Sequence, residues 1–498
     1  MVSKKVSILF LFSVILAFFA GYFVERVIPI QPQSQTGGMF DYIINSFNNY
    51  YYYDLDDDEI HQAFIASMEA TIESIANQHN DPYTRLVKTP LASSPAGDES
   101  FVGIGVSFSF EGLNLRIGYI YKGGAAEKKL YPNDLIIGMM VDDTEILFKD
   151  LSQEEDVLDM LKGSIDETKT MIVKTPDGMI EHISLTYKEI LTPTAYSINL
   201  NEPNIGYIRI TSFSSHSETS SGTALVFQNT LNSLEQNVLS GEGKTLIVDL
   251  RDNPGGALSA LHNQGLSGMI PGIAQQLLLR NVSGPLFSMI PKNGKAQLFY
   301  GGLISEKGYD IKVLVNEKSA SAAEVLAAAL KYGGGYELYG MPTYGKGVYQ
   351  NQVRLKDIRG IRYSLIYTEG QWYYGDQKNV QDNPLEVIPI AQTGVLALTM
   401  PIYRGAMSFD HYYQHLSHYQ SFLNIYYNLS DENALRTDGY FDMKTQQIVN
   451  QFNIEHEIDN SMINRLTAIK IHDLYMEMIH DITKDGQLNA LIDIIKQS

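Results

Sequence analysis

A chain of 498 residues, 44% of them apolar, exceeds what one hydrophobic core holds and predicts several units that each bury their own. A net charge of −20 argues against nucleic acid, whose binding needs clustered Lys and Arg to displace counterions. The lack of cysteine removes disulfides, thiolate metal sites and a lipidated N-terminal cysteine together.

Lys4 and Lys5 precede an apolar run, Val6 to Val24, which as a helix would be about 28 Å long against a hydrocarbon core of ~30 Å. This predicts a single-pass anchor over residues 1–28 at the cell membrane, with the lysines cytoplasmic and the remaining chain extracytoplasmic. A cleaved signal peptide is the rival, but Ala17-Phe18-Phe19-Ala20 has the wrong spacing for a small-residue cleavage site. Pro, Gln, Ser and Gly fill 29–38, a tether. Residues 39–90 read as a helical region, with Ile60, Phe64, Met68, Ile72 and Ile75 at helical spacing and Asn80-Asp81-Pro82-Tyr83 as its stop.

The next unit, 99–190, opens with Phe101-Val-Gly-Ile-Gly-Val-Ser-Phe108 and continues in short strands with one helix predicted from Glu154 to Leu161. It resembles a PDZ domain. The resemblance implies that Gly103, Ile104, Gly105 and Val106 form a loop of main-chain donors for a peptide's terminal carboxylate, beside a strand that pairs with the peptide. Read from the residues alone, a glycine-flanked strand is more often only a strand. Asn133-Asp134 stands where many such domains have Gly-Asp.

An α/β pattern occupies 191–400. The apolar run Thr245 to Leu250 predicts a strand buried on both faces, and it leads into Arg251-Asp-Asn-Pro-Gly-Gly256, a turn with bare main-chain N–H groups. A second strand, Val313 to Val315, runs into a Ser/Ala turn and a helix predicted from Ala322 to Lys331, placing Ser321 at a helix N-terminus. Unsatisfied N–H groups and the dipole there would favour an oxyanion. Ser321-Ala-Ala-Glu324 equally fits a capping box, in which the serine merely closes the helix. Lys346 stands between Gly345 and Gly347, and a Ser/Lys pair is one recurrent serine-protease constellation. Gly340 to Lys346 also matches seven positions of a phosphate-binding loop, but position eight is Gly347 and a strand, not a helix, is predicted next.

Asp249-Leu-Arg-Asp-Asn-Pro-Gly-Gly256, Ser319-Ala-Ser-Ala-Ala-Glu324 and Thr343-Tyr-Gly-Lys-Gly347, in that order behind a PDZ-like unit, resemble the C-terminal processing peptidases over roughly Phe40 to Pro389. The resemblance implies a Ser321 nucleophile, a Lys346 general base and a Gln350 that orients the lysine. It also implies an oxyanion hole built from the N–H of Ala322 and of Gly256, with Gly255 the alternative. No cofactor or metal is implied. A neutral lysine needs its pKa lowered from ~10.4 to about 7 or 8, roughly 4 kcal/mol of differential interaction. This predicts a lysine buried against side chains such as Tyr344 and Val348, with no carboxylate nearby. Four residues along a strand span about 13 Å, so Gln350 rests on the resemblance alone.

Asn379-Val-Gln-Asp-Asn-Pro-Leu-Glu-Val387 departs from the Gly-Ile-x-Pro-Asp common in that family. Residues 403–498 read as a mainly helical domain in which Arg436-Thr-Asp-Gly-Tyr-Phe-Asp442 resembles peptidoglycan-binding-like domains. Glycan contact and support of a homodimer are both open. His411, His415 and His418 fall at i, i+4 and i+7, a metal-ligand spacing, amid tyrosines that favour an ordinary packing face. The sequence thus predicts a multidomain α/β protein: an anchored serine endopeptidase acting on proteins or peptides with accessible C-termini. The alternative is a catalytically silent scaffold of PDZ and wall-binding units.

Overall fold

The computed structural model describes residues 57–90, 100–216, 221–263, 270–280, 284–292, 294–358 and 360–497. The expected membrane span, the tether, the helical region before residue 57 and the loop at 91–99 lie outside them. Among the described residues no helix is long and apolar enough to cross a membrane. The chain divides into two compact units, one of Met1–Ser93, Met289–Ala296 and Val348–Trp372, the other of Ser94–Ser288, Gln297–Gly347 and Tyr373–Ser498.

In the first unit the helix Asp57–Gln78 buries Ile65 and Ala76. It stops where Asn80 turns left-handed (φ 51°) and the Asp81 carboxylate accepts from Tyr83 N (3.0 Å) and Thr84 Oγ1 (2.6 Å). The helix ends at the expected stop, but the remainder of the 39–90 region was not expected to hold a strand. Arg85–Pro90 is nonetheless a strand, antiparallel to Ile361–Tyr374, which pairs along its other edge with Val348–Ile358. That partner lies so far along the chain that no local pattern announces the strand.

The second unit contains two sheets of six strands and a helical part. The first sheet runs Val106–Glu111, Asn114–Ile120, Leu135–Val141, Thr168–Lys174, Ile180–Thr186, with Thr144–Leu147 on the flank of Leu135–Val141, all antiparallel. Val157 of the helix Glu154–Leu161 joins Leu115, Ile136, Phe148 and Met171 in its core.

The second sheet runs Ala195–Ser197, Ile205–Ile210, Thr245–Asp249, Asp310–Val315, Glu337–Gly340, Ile388–Pro389; only the first pair is antiparallel. Every residue of Thr245–Asp249 is buried, as expected of a parallel strand covered on both faces. The helix Gly222–Asn237 crosses between its second and third strands and buries Phe227, Leu231 and Leu234, one helical stripe. The helix Ala322–Ala328 follows the fourth strand. It is buried on every side, which its alanines permit and its Glu324 makes conspicuous.

Helices Leu416–Tyr426, Met443–Glu455 and Arg465–Ile479 share a separate core that includes Phe422, Phe441, Phe452 and Ile471. The last helix, Gly486–Gln497, departs from the expectation of one helical domain over 403–498. Its Leu488, Leu491 and Ile492 pack with Ile205, Tyr207, Ile247 and Leu314 of the parallel sheet.

Candidate active site

Strand Thr245–Asp249 ends in a turn whose geometry its own asparagine sets. Asn253 Oδ1 accepts from Gly255 N (2.8 Å), while Asn253 Nδ2 donates to Ile210 O (2.9 Å) and the side chain is fully buried. Gly255 has φ +100°, and a Cβ on it would stand 2.8 Å from Ala320 O and Ser321 Cβ and 2.9 Å from Ala322 N. Only glycine lets this backbone lie against the serine. Gly256 has φ +136° and a Cβ there would meet Phe213 O at 2.1 Å. Of the two glycines, Gly255 therefore already spends its N–H on Asn253. The N–H groups of Gly256 and Ala322 have no partner among the described residues.

Two further bonds lock this turn to the serine turn: Ala320 N donates to Asn253 O (2.9 Å), and Ser319 Oγ to Leu250 O (2.8 Å). Ser319 is fully buried, whereas Ser321 is half-buried. Ser321 has φ 56° and ψ −118°. A non-glycine residue in that region carries strain on the order of 1–3 kcal/mol, which the surroundings must offset.

Glu324 ties the serine turn in place. Its carboxylate, fully buried, accepts three backbone N–H groups: Ser321 N at Oε2 (2.8 Å), Gly345 N at Oε1 (2.6 Å) and Lys346 N at Oε2 (2.9 Å). Tyr344 N adds a bond to Ser319 O (3.1 Å). The capping-box geometry expected for Ser321 and Glu324 is thus present, but it is part of a clamp that also holds the lysine segment. The lysine surroundings differ from expectation. Tyr344 is 59% exposed, Lys346 is half-buried, and a carboxylate lies beside its own backbone N–H. Gly347 lies against the buried Asn379: Asn379 Nδ2 donates to Gly347 O (2.9 Å), and a Cβ would stand 1.9 Å from Asn379 Oδ1. A strand, Val348–Ile358, follows Gly347, so no helix opens there as a phosphate-binding loop requires.

Gln350 lies in the first unit, on that strand, where Nε2 reaches Thr368 Oγ1 at 3.5 Å. The loop Gly103–Val106 sits at the edge of the antiparallel sheet. Ile104 O and Gly105 O accept from Ala126 N and Tyr121 N (both 2.9 Å), and the N–H groups of Ile104 and Gly105 have no partner among the described residues. The three histidines do not form one helical face, because His411 and His415 precede the helix Leu416–Tyr426. Among the described residues no group of three His, Asp or Glu could hold a metal.

One buried cluster was not foreseen. Asp249 accepts from Tyr207 Oη (2.7 Å) and from Arg251 Nη2 (2.6 Å), and Arg251 in turn donates to Asp485 at 2.6 and 2.9 Å. Burial pushes the Asp249 carboxyl up, but the charges of Arg251 and Arg209 outweigh it and hold the pKa at about 2.

Residues 204–389, which contain all three motifs, match peptidase family S41. Over that segment the chain is similar to the S41 peptidases, and the curated relatives it matches are carboxy-terminal processing proteases. Carboxy-terminal processing protease CtpB of Bacillus subtilis (strain 168) is 27% identical over 436 residues, 85% of this chain and 83% of that protein. Carboxy-terminal processing protease CtpA of the same organism is 27% identical over 330 residues, 65% of this chain and 64% of its own length. Among solved structures, a photosystem II D1 C-terminal processing protease matches with TM-score 0.38 and 22% identity, covering 71% of this chain and 88% of that one. The S41 match ends where the strand Ile388–Pro389 ends, so Gly486–Gln497 and Asp485 reach the parallel sheet from outside the matched segment.

Proposed function

We propose that this chain is a membrane-anchored, extracytoplasmic endopeptidase of the C-terminal processing type that works by a Ser/Lys mechanism. Neutral Lys346 takes the proton of Ser321 Oγ as the oxygen attacks a peptide carbonyl, and the resulting oxyanion is held by the N–H groups of Gly256 and Ala322. The tetrahedral intermediate collapses to an acyl-enzyme as the Lys346 ammonium protonates the leaving amine. Lys346 then deprotonates the water that resolves the ester. Gln350 is assigned to orienting the lysine by resemblance.

The observation that carries this reading is the Glu324 clamp, because one buried carboxylate gathers the backbones of the two residues the mechanism must unite. The loop Gly103–Val106 is the PDZ-type receptor for a substrate's terminal carboxylate, supported by the unpartnered N–H groups of Ile104 and Gly105 among the described residues. The helical part over 403–479 is a peptidoglycan-binding-like domain or a dimer support.

The full-length chain should cleave a protein with an unstructured C-terminus and lose that activity in Ser321→Ala and in Lys346→Ala. Amidating the substrate's C-terminus should raise KM. Cleavage that survives both substitutions would sink the mechanism, and a wild-type chain inert towards every such substrate would leave the scaffold reading.

A further inference from the structure

The turn that carries Gly256, one of the two proposed oxyanion donors, is rooted in Arg251, and Arg251 is held from a part of the chain that the S41 match does not include. Its guanidinium is buried, 3% exposed, between two carboxylates. Asp249, on the strand that delivers the turn, takes Nε and Nη2. Asp485, 2% exposed, takes Nη2 (2.6 Å) and Nη1 (2.9 Å) as a bidentate pair, and Gln487 Oε1 accepts a further bond from Nη1 (3.1 Å). Asp485 also caps the last helix, its Oδ1 accepting from Leu488 N (3.0 Å). That helix cannot drift, because Leu488, Leu491 and Ile492 are buried on the sheet. Immediately after Arg251 the turn is fixed by Asn316 Oδ1 at Asp252 N (2.9 Å) and by Asn253 at Gly255 N.

We infer that Asp485 is a positioning residue for the peptidase reaction, fixing through Arg251 the turn whose Gly256 N–H faces the developing oxyanion. This rests on the Ser/Lys reading and adds that the C-terminal arm, Asp485–Gln497, is an integral part of the catalytic unit. A carboxylate there does what a neutral acceptor cannot. It balances a buried guanidinium that otherwise shares one carboxylate, and leaves the root of the turn a single resting position.

The test uses the full-length chain as wild type, Asp485→Asn and Asp485→Glu, with Ser321→Ala as the control. Asn keeps the size and, with its oxygen at the Oδ1 position, the helix-capping acceptor; it removes the charge and the acceptor that Arg251 Nη2 uses. Active sites are counted by exhaustive labelling with a fluorophosphonate, so that kcat refers to folded sites. Asp485→Asn should lower kcat per site about tenfold and weaken a peptide aldehyde, whose hemiacetal oxygen seeks the same N–H groups, by a similar factor. KM should stay within about threefold, and Asp485→Glu should recover part of the loss. A kcat per site and an aldehyde affinity within twofold of wild type would overturn the inference. So would a loss confined to the number of labelled sites, or failure of both variants to fold, since either makes Asp485 structural only. A wild-type chain that cleaves no better than Ser321→Ala would refute the Ser/Lys reading instead.

Discussion

Replacing Glu324 by glutamine removes one charge and one acceptor from a buried site in which three backbone N–H groups converge. Oε2 serves Ser321 N and Lys346 N, and Oε1 serves Gly345 N. The amide does best with its oxygen in the Oε2 position, which keeps two bonds in weaker, neutral form and turns an NH2 group against the Gly345 N–H. Losing one charge-assisted bond costs about 1.5–3 kcal/mol and weakening two adds a comparable amount, so roughly 3 kcal/mol is at stake after relaxation. If that energy holds Ser321 at φ 56° and sets the lysine segment beside it, the loss falls on the transition state. Steady-state cleavage of an unstructured-tail substrate by Glu324→Gln should then show kcat about a hundredfold lower with KM little changed, at 1.4 kcal/mol per decade. A kcat within threefold of wild type would refute the clamp as the device that unites the two residues.

Gly255→Ala should fold yet lose at least a hundredfold in kcat, because the added methyl meets Ser321 Cβ and Ala322 N at 2.8 and 2.9 Å and the backbone has φ +100°; near-normal cleavage would contradict the close approach. Asp134→Ala should lower the calorimetric midpoint of the second unit, since Arg465 would lose a bidentate partner that is fully buried (2.8 and 3.2 Å), a change worth about 3–5 kcal/mol; an unchanged midpoint would count against it. Burial lowers His472 from 6.5 to about 4, so it stays neutral in the folded chain while the unfolded chain takes up a proton. Stability unaffected above pH 6.5 should therefore fall as pH drops towards 4, by at most roughly 3 kcal/mol. Thermal scans at several pH values should show a smaller acid loss in His472→Gln than in wild type, and parallel curves would disprove the assignment.

Chemistry that short segments encode was readable in the sequence. The strand into the Asn253–Gly256 turn, the helix behind Ser321 and the glycines around Lys346 each follow from local composition, and their order along the chain carried the resemblance. What was not readable depends on distant partners. Glu324 was legible as a capping-box residue because its bond to Ser321 is three residues away, whereas its bonds to Gly345 and Lys346 exist only after two loops meet. Gly347 gave no hint that Asn379 fills the space a side chain would need. Asn133, noted as a departure from Gly-Asp, has φ 76°, which asparagine tolerates, and its Nδ2 donates to Tyr403 O (2.8 Å), a bond that glycine could not make. The strand Arg85–Pro90 and the packing partner of the final helix were not foreseen for the same reason, since each packs on a sheet assembled from remote segments.

In the proposed mechanism the Ser321 hydroxyl is activated by an uncharged Lys346. The most direct measurement of that activation is the rate at which a fluorophosphonate labels the full-length chain across pH, with the modified peptide identified by mass. The expected result is a single adduct, on Ser321, whose rate rises through one ionisation at about pH 7–8 and is abolished in Lys346→Ala. An adduct on another serine, or a Ser321 rate indifferent to Lys346→Ala, would contradict it.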